Sequence, residues 1–390
     1  MIAGHACSFA YVWLRDNAPD ASTFELGNRT RARTMLMAEL DPNISPSTTE
    51  LSDDGTALVI DWRDGGPQNA YPSRWLRRRT LVDKAFQKAR REQYHTWQTV
   101  PWTSAQVAEN LHTIDWLDVV TDSNGSRPLR DFLLNFLTYG IAKIVGAPQR
   151  HGAQAKLAEV IGYFRNSHYG NTFQVLAEPI PSNLAYTPKA LGFHTDLPYE
   201  RHPPDIQTLH VIRQSSTGGD SVFVDGLNVA RQLRSEKPEV YKLLTTVQQE
   251  FLDDGDTHYR YLHTAMHCTI AVDEQDEPEQ IFYNNQQRSW FAMVQSAEHF
   301  AEYLAALRTF NDYLYQPRNL FQIKLNPGEI IFFANNRVLH GRRAYTYDPD
   351  NAGQGRHFEG AYYTFDAVQS KIRVINESLG EQRHAAFAVP

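Results

Sequence analysis

Cysteine is nearly absent: Cys7 and Cys268 are the whole supply in 390 residues. That excludes a disulfide framework, leaves room for one bridge at most, and fits a reducing compartment. No apolar run approaches the ~20 residues that span a bilayer, so no membrane segment is expected. The opening Met1-Ile2-Ala3-Gly4-His5 lacks a basic stretch followed by an apolar one. A secretory leader is therefore not expected, and a cytoplasmic location is the default. Positive charge is also scarce. The 38 Lys and Arg are outnumbered by 45 Asp and Glu, for a net charge of -7, whereas a nucleic-acid binder needs a basic face. The Arg-rich stretch from Arg74 to Arg79 is too short to change this and reads as a solvated turn or strand end. Neither an internal repeat nor a low-complexity tract is visible.

What is present is an ordinary globular balance, 42% hydrophobic and 21% charged, with an excess of aromatics in 19 Tyr, 20 Phe and 7 Trp. The length suggests two domains. The N-terminal part reads as short strands between turns, among them Ala57–Trp62 between Asp53-Asp54-Gly55 and Asp64-Gly65-Gly66-Pro67. A charged, helix-compatible connector follows from Leu81 to Tyr94. The expected division is therefore 1–94, a small β-rich domain, and 95–390, the main domain. In the second part Ser104 is the expected N-cap for Ala105–Leu111, and Arg127–Leu137 is amphipathic. Expected strands are Gly140–Gly146, Gln207–Ile212, Ser221–Asp225, Gln280–Asn284, Phe321–Leu325, Glu329–Ala334 and Arg356–Phe365. Many short strands with helices ahead of them predict a mainly β fold with flanking helices, a sandwich or jelly roll.

His194-Thr195-Asp196 is a His-x-Asp triplet. In an extended segment residues two apart point to one side, so an imidazole and a carboxylate converge there. Two His and one carboxylate on one face of a metal, with the other positions open, is the arrangement of non-haem iron(II) oxygenases. With 15 His in the chain an isolated triplet means little, so its company decides. His340 follows the apolar strand ending at Ala334-Asn335, and Arg356 opens a further strand. A cosubstrate carboxylate needs a fixed, always-charged, bidentate partner, which is arginine. Positions 356, 358, 360 and 362 share a face, so one strand presents Arg356 to a cosubstrate and Tyr362 to a substrate. His194, Asp196, His340 and Arg356 thus occur in the order and spacing a double-stranded β-helix oxygenase requires. A zinc hydrolase could use the same triad but would leave Arg356 unexplained. His202 and His210 flank the region, and His210 reads as a core or cleft imidazole. His5, His95, His112 and His151 have no convergent partner.

At these residues the chain resembles the γ-butyrobetaine hydroxylase / trimethyllysine dioxygenase family, from Trp13 to about Ile375. The stretches that carry the likeness to the butyrobetaine branch are Gly192–Pro198, His202-Pro203-Pro204, Thr217–Gly226, Leu339–Tyr345 and Arg356–Tyr362. The resemblance implies a jelly-roll catalytic domain and hydroxylation of a trimethylammonium substrate, γ-butyrobetaine to L-carnitine foremost. It implies His194, Asp196 and His340 as ligands of Fe(II), and Arg356 as the anchor of 2-oxoglutarate. Dioxygen is the further cosubstrate, ascorbate the expected reductant, and a homodimer the expected assembly. Tyr169, Phe173, Tyr186 and Tyr362 match an aromatic cage, while Asn183 and Asn284 match amides that contact the substrate carboxylate. A quaternary ammonium has no hydrogen to donate and is best held by ring faces, each worth about 0.5–2 kcal/mol. The four-residue spacing of Tyr169 and Phe173 would by itself suggest core.

Two departures from the family pattern stand out. Phe173 replaces an expected Trp, the stronger cation–π partner. The family's N-terminal domain opens as Trp13–Asn17 does here and then binds a structural zinc through three Cys and a later His. At the matching positions this chain has Ala18, Asp20, Thr23 and Pro67, so no structural zinc is expected. The chain also begins closer to Trp13 than the family pattern does, so the expectation is either that the pattern's first strand is missing or that the gene model is short. The alternatives are a related oxygenase acting on trimethyllysine, on a trimethylammonium phosphonate or on a secondary-metabolite precursor. A reading of another class is a non-catalytic betaine-binding protein on an oxygenase scaffold.

Overall fold

In a computed structural model the described residues are 8–18, 23–26, 31–77, 98–121, 126–177, 184–256, 259–346 and 355–380. The chain divides into two compact units, Met1–Thr96 together with Gly380–Pro390, and Trp97–Leu379. The expected connector from Leu81 to Tyr94 lies outside the described residues, as do His5 and His95.

The first unit contains α1 (Tyr11–Asp16), the short ladder of β1 (Phe24–Leu26) and β2 (Arg31–Arg33), and a three-stranded meander. The meander comprises β3 (Pro46–Leu51), β4 (Ala57–Trp62) and β5 (Asn69–Pro72), and α2 (Ser73–Arg77) follows it. Its core is aromatic: Leu14, Ile60, Trp62, Tyr71, Trp75 and Leu76 are buried together. The Tyr71 hydroxyl donates to the Leu14 carbonyl, at 2.8 Å. Arg15, 5% exposed, crosslinks α1 to the β4–β5 turn by donating to the Asp64 carboxylate at 2.9 Å, and reaches the Thr23 hydroxyl at 3.3 Å.

In the second unit α3 (Ser104–Asn110), β6 (Thr113–Asp115), α4 (Trp116–Val120), α5 (Arg127–Tyr139), β7 (Ile141–Val145) and α6 (Gln154–Ile161) lead into β8 (Thr172–Leu176), β9 (Leu191–His194), β10 (Ile206–Arg213) and β11 (Ser221–Asp225). Next come α7 (Gly226–Glu236), α8 (Pro238–Thr246), β12 (Gln248–Asp256), β13 (Arg260–Cys268), β14 (Ile270–Val272), β15 (Pro278–Ile281), β16 (Arg288–Ala292) and α9 (Ala297–Leu314). The chain closes with β17 (Phe321–Ile323), β18 (Ile330–Ala334), β19 (Val338–Arg342), β20 (His357–Tyr363) and α10 (Phe365–Ser378). Of these strands the sequence placed β7, β10, β11, β15, β17, β18 and β20 and did not name β6, β8, β12, β13, β14, β16 or β19; two further points differ. The expected strand Gln280–Asn284 stops at Ile281, which leaves Asn284 in a loop. The cap of α3 is Thr103 rather than Ser104: its backbone N–H donates to the Gln106 side chain at 2.9 Å, and the Ser104 hydroxyl donates instead to the Pro317 carbonyl. α5 is capped by Ser126 and stopped by Gly140, whose φ of 72° suits glycine.

Two sheets form the double-stranded β-helix. One has the order β6-β7-β18-β10-β20-β8 and the other β17-β11-β19-β9. β18 shows why its sequence is apolar throughout. Ile330, Phe332 and Ala334 pack on the helix side with Leu129, Phe132, Leu133 and Ile372. Ile331 and Phe333 point the other way, into the layer between the sheets, with Phe223, Val338 and Phe358. A strand buried on both faces reads as a continuous hydrophobic run. The outer face of the smaller sheet is covered by Leu233, Leu244, Tyr303 and Phe310 of α7, α8 and α9. Among the described residues no helix is long and apolar enough to cross a membrane.

Candidate metal centre and its two cavities

β9 and β19 pair antiparallel with His194 opposite His340, which brings their ring centroids to 4.1 Å. Asp196 lies two residues beyond the end of β9. Its Oδ1 is 3.2 Å from His194 Nε2 and 3.7 Å from His340 Nε2. His194 Nδ1 sits 2.9 Å from the Gly192 carbonyl, to which only a protonated Nδ1 can donate, so Nε2 carries the free lone pair. Among the described residues these three form the one group of His, Cys, Asp or Glu whose ligand atoms all lie within 4.8 Å of one another. Both imidazoles are 7% exposed. An imidazole–imidazole–carboxylate set suits a divalent transition metal with open positions.

The protonation states match that use. Burial would raise the Asp196 carboxyl, but the charges of His340 and His194, with hydrogen bonds from His194 and Tyr362, hold it well below the usual range. His340 is pushed down to about 3 by burial and by repulsion from His194. At neutral pH both groups are therefore deprotonated, as metal binding requires. Asp196 is also fixed in space. Fully buried Asn335 clamps its main chain, accepting from the Asp196 N–H at 2.7 Å and donating to the Asp196 and Pro204 carbonyls, both at 3.0 Å. The Tyr362 hydroxyl donates to Asp196 Oδ2 at 2.7 Å. Leu197 follows in the left-handed region at φ 56°, anchored by a buried side chain beside Tyr199, Phe251, Phe282 and Tyr362.

Two cavities meet at His194 and Asp196. The first, ≈ 60 Å³, is lined by Tyr169, Phe173, Tyr186, Tyr362, Asn284 and Gln287. Phe173 stacks on Tyr362 with centroids 5.0 Å apart and lies 5.8 Å from Tyr169. Gly360 makes this stack feasible, since a Cβ there would sit 2.2 Å from the Phe173 ring. Asn284 Nδ2 donates to Gln287 Oε1 at 2.9 Å, and its Oδ1 accepts from the Gln286 N–H at 3.0 Å. Thr195 ties this loop to the metal strand through the Tyr283 carbonyl, at 2.7 Å. Asn183 lies outside the described residues.

The second cavity, ≈ 70 Å³, is lined by Arg356, Arg342, Gln207, Ser221, His340 and Phe358. Arg356 is 5% exposed, with its Cζ 3.6 Å above the Phe358 ring centroid and 5.6 Å from that of Tyr345. Burial and repulsion from Arg342 lower it to about 9, so it is still a cation at neutral pH. Its Nε and the Gln207 Oε1 are buried without hydrogen-bond partners. A buried cation lacking a carboxylate among the described residues is costly unless an anion enters beside it.

The structure thus brings together His194, Asp196 and His340, sets Arg356 in the adjoining cavity, and collects Tyr169, Phe173, Tyr186, Tyr362 and Asn284 in the other. His210 lies elsewhere, fully buried with Nδ1 3.7 Å from Glu359. Sequence reasoning missed Asn335, Gln287, Gln207 and Arg342. Only Arg342 had a signal, since it stands two residues after His340 on a strand and so shares its face.

A family model described as "Taurine catabolism dioxygenase TauD, TfdA family" matches residues 98–362. The chain is 33% identical over 367 residues to "Gamma-butyrobetaine dioxygenase" of Homo sapiens, covering 94% of this chain and 90% of that one. It is 33% identical to the protein of that name from Pseudomonas sp. (strain AK-1), covering 95% and 91%. To "Trimethyllysine dioxygenase, mitochondrial" of Homo sapiens it is 32% identical, covering 94% and 82%. With its double-stranded β-helix and convergent His-Asp-His set, the chain belongs to the TauD, TfdA family and is a 2-oxoglutarate-dependent dioxygenase.

Proposed function

We propose that the chain hydroxylates γ-butyrobetaine to L-carnitine, with His194, Asp196 and His340 holding Fe(II) and Arg356 receiving the distal carboxylate of 2-oxoglutarate. The observation that carries this reading is the cavity of four aromatic rings, Tyr169, Phe173, Tyr186 and Tyr362, sharing its wall with the His-Asp-His set. When bound, Fe(II) with 2-oxoglutarate and dioxygen supplies the oxidising power for hydroxylating an unactivated C–H bond, with succinate and carbon dioxide as co-products. The chain does the rest by binding, orienting and excluding water. Ring faces receive the trimethylammonium group without a hydrogen bond. The Asn284 amide is held by Gln286 and Gln287 and takes the substrate carboxylate, a role the family resemblance also gives to Asn183. Arg356 sets the cosubstrate's register from the far end of its cavity. Tyr362 serves both sides: its ring belongs to the cage and its hydroxyl steadies Asp196.

Neutral amides suit a short acid better than a substrate with an additional α-amino group. The likeness to trimethyllysine dioxygenases supports trimethyllysine as the second reading. The enzyme works in the cytoplasm as a homodimer, uses ascorbate as reductant and carries no structural zinc. Support for the last is that Ala18, Thr23 and Pro67 cannot supply imidazole or thiolate, and that Arg15 bonds to Thr23 and Asp64 there. The test is succinate release with Fe(II), ascorbate and a panel of γ-butyrobetaine, trimethyllysine and a trimethylammonium phosphonate. γ-Butyrobetaine should give the highest kcat/KM. A clear preference for trimethyllysine would overturn the assignment, and betaine binding without any turnover would favour a binding protein.

A further inference from the structure

Arg342 is the second buried cation of the Arg356 cavity, and nothing above gives it a role. It shares the inward face of β19 with His340 and is 4% exposed. Its terminal nitrogens donate to three main-chain carbonyls of one segment: Ala185 at 2.9 Å, Thr187 at 2.5 Å and Lys189 at 2.8 Å. The Tyr345 N–H takes the Pro188 carbonyl as well, at 3.1 Å. The segment 184–189 carries Tyr186 into the aromatic cavity and runs directly into β9 and His194.

Arg342 therefore stands between two sites. On one side it holds the substrate-cavity segment by a fork of backbone hydrogen bonds. On the other its Nε has no partner and the side chain lines the Arg356 cavity. The two guanidinium groups flank one ring, with Arg342 Cζ 4.9 Å and Arg356 Cζ 5.6 Å from the Tyr345 centroid. Among the described residues neither cation forms an ion pair with a carboxylate. Two like charges buried side by side repel, and the natural relief is a dianion between them.

We propose that Arg342 is a positioning residue that couples occupancy of the Arg356 cavity by a dicarboxylate to ordering of segment 184–189, and through Tyr186 to the substrate cage. The proposal rests on the reading that Arg356 receives 2-oxoglutarate. A dianion neutralises the paired cations and lets Arg342 keep its fork on Ala185, Thr187 and Lys189. With the cavity empty, mutual repulsion weakens that hold. Coupling free energy is reciprocal, so the substrate cage is complete only with cosubstrate in place, and betaine in turn tightens 2-oxoglutarate.

The test uses the full-length protein with manganese(II) in place of iron. 2-Oxoglutarate affinity is measured by calorimetry, and amide hydrogen exchange of residues 184–189 is followed with and without 2-oxoglutarate. In the wild type 2-oxoglutarate should slow exchange there. Arg342→Gln should bind 2-oxoglutarate about tenfold or more weakly and lose that protection. Arg342→Lys keeps the charge but not the fork, so it should recover part of the affinity and none of the protection. Unchanged protection in both variants would overturn the coupling while leaving the Arg356 reading intact. Failure of the wild type to bind 2-oxoglutarate would overturn that reading and this proposal together.

Discussion

Asp196 is held from three directions: its main chain by Asn335, its carboxylate by the Tyr362 hydroxyl, and its successor Leu197 by a buried side chain at positive φ. Such restraint suits a carboxylate that would serve as a metal ligand. Asn335→Ala leaves the Asp196 N–H and two carbonyls unmatched in the interior and should cost about 1–3 kcal/mol of stability. Its cobalt(II) affinity should fall more than its melting temperature alone would imply, which titration by cobalt absorbance checks. For the cage, Phe173→Leu keeps apolar bulk and removes the ring face. One cation–π contact is worth about 0.5–2 kcal/mol, so KM for the betaine should rise several-fold with kcat little changed. Unaltered KM would place Phe173 outside the cage. Residue chemistry also explains what could be read in advance. His194, Asp196, His340 and Arg356 are legible because the chemistry demands those side chains. Asn335 and Arg342 work on backbone carbonyls and N–H groups, which leave no mark on the partner's sequence.

At the scale of elements, the site is a product of strand pairing. The β9–β19 register sets His194 opposite His340, and β20 aligns Phe358, Gly360 and Tyr362 along one inward face, with Arg356 just before it. Gly360→Ala adds a Cβ 2.2 Å from the Phe173 ring, so the variant should fold with Phe173 displaced and a raised betaine KM; an unaffected KM would contradict the stacking. Strands bracketed by turn residues, such as β7, β11 and β18, were legible, whereas β8, β12, β13 and β19 were not named from the sequence. Asn284 was misplaced into a strand, since the apolar run Ile281-Phe282-Tyr283 looks continuous although the ladder ends at Ile281. In the first unit the Arg15 crosslink to Asp64 and Thr23 joins α1 to the meander. Arg15→Ala should loosen that unit by about 1–3 kcal/mol, seen as faster hydrogen exchange in β4 and β5 without loss of cobalt binding at the triad.

For the whole molecule, the buried imidazole predicts a pH dependence. His340 lies at about 3 in the folded state against an ordinary 6.5, so between those values the unfolded chain takes the proton first. Its contribution to stability is full above about pH 6.5 and is lost as pH falls toward 3. Asp196, also lowered, adds to the loss below its ordinary value of 3.8. His267 and His357, lowered chiefly by burial, act in the same sense as His340. Urea midpoints of the metal-free protein should therefore fall on acidification, and less steeply in His340→Asn. The jelly roll was legible as a class from strand density, whereas the two cavities and their shared wall required the sheets to be packed. The most direct test of the central claim is mass spectrometry of the γ-butyrobetaine reaction run under isotopically heavy dioxygen, with Fe(II) and 2-oxoglutarate. The wild type should yield carnitine bearing the heavy oxygen, and His194→Ala should yield none. A wild-type reaction without hydroxylated product, or equal product from His194→Ala, would contradict the account.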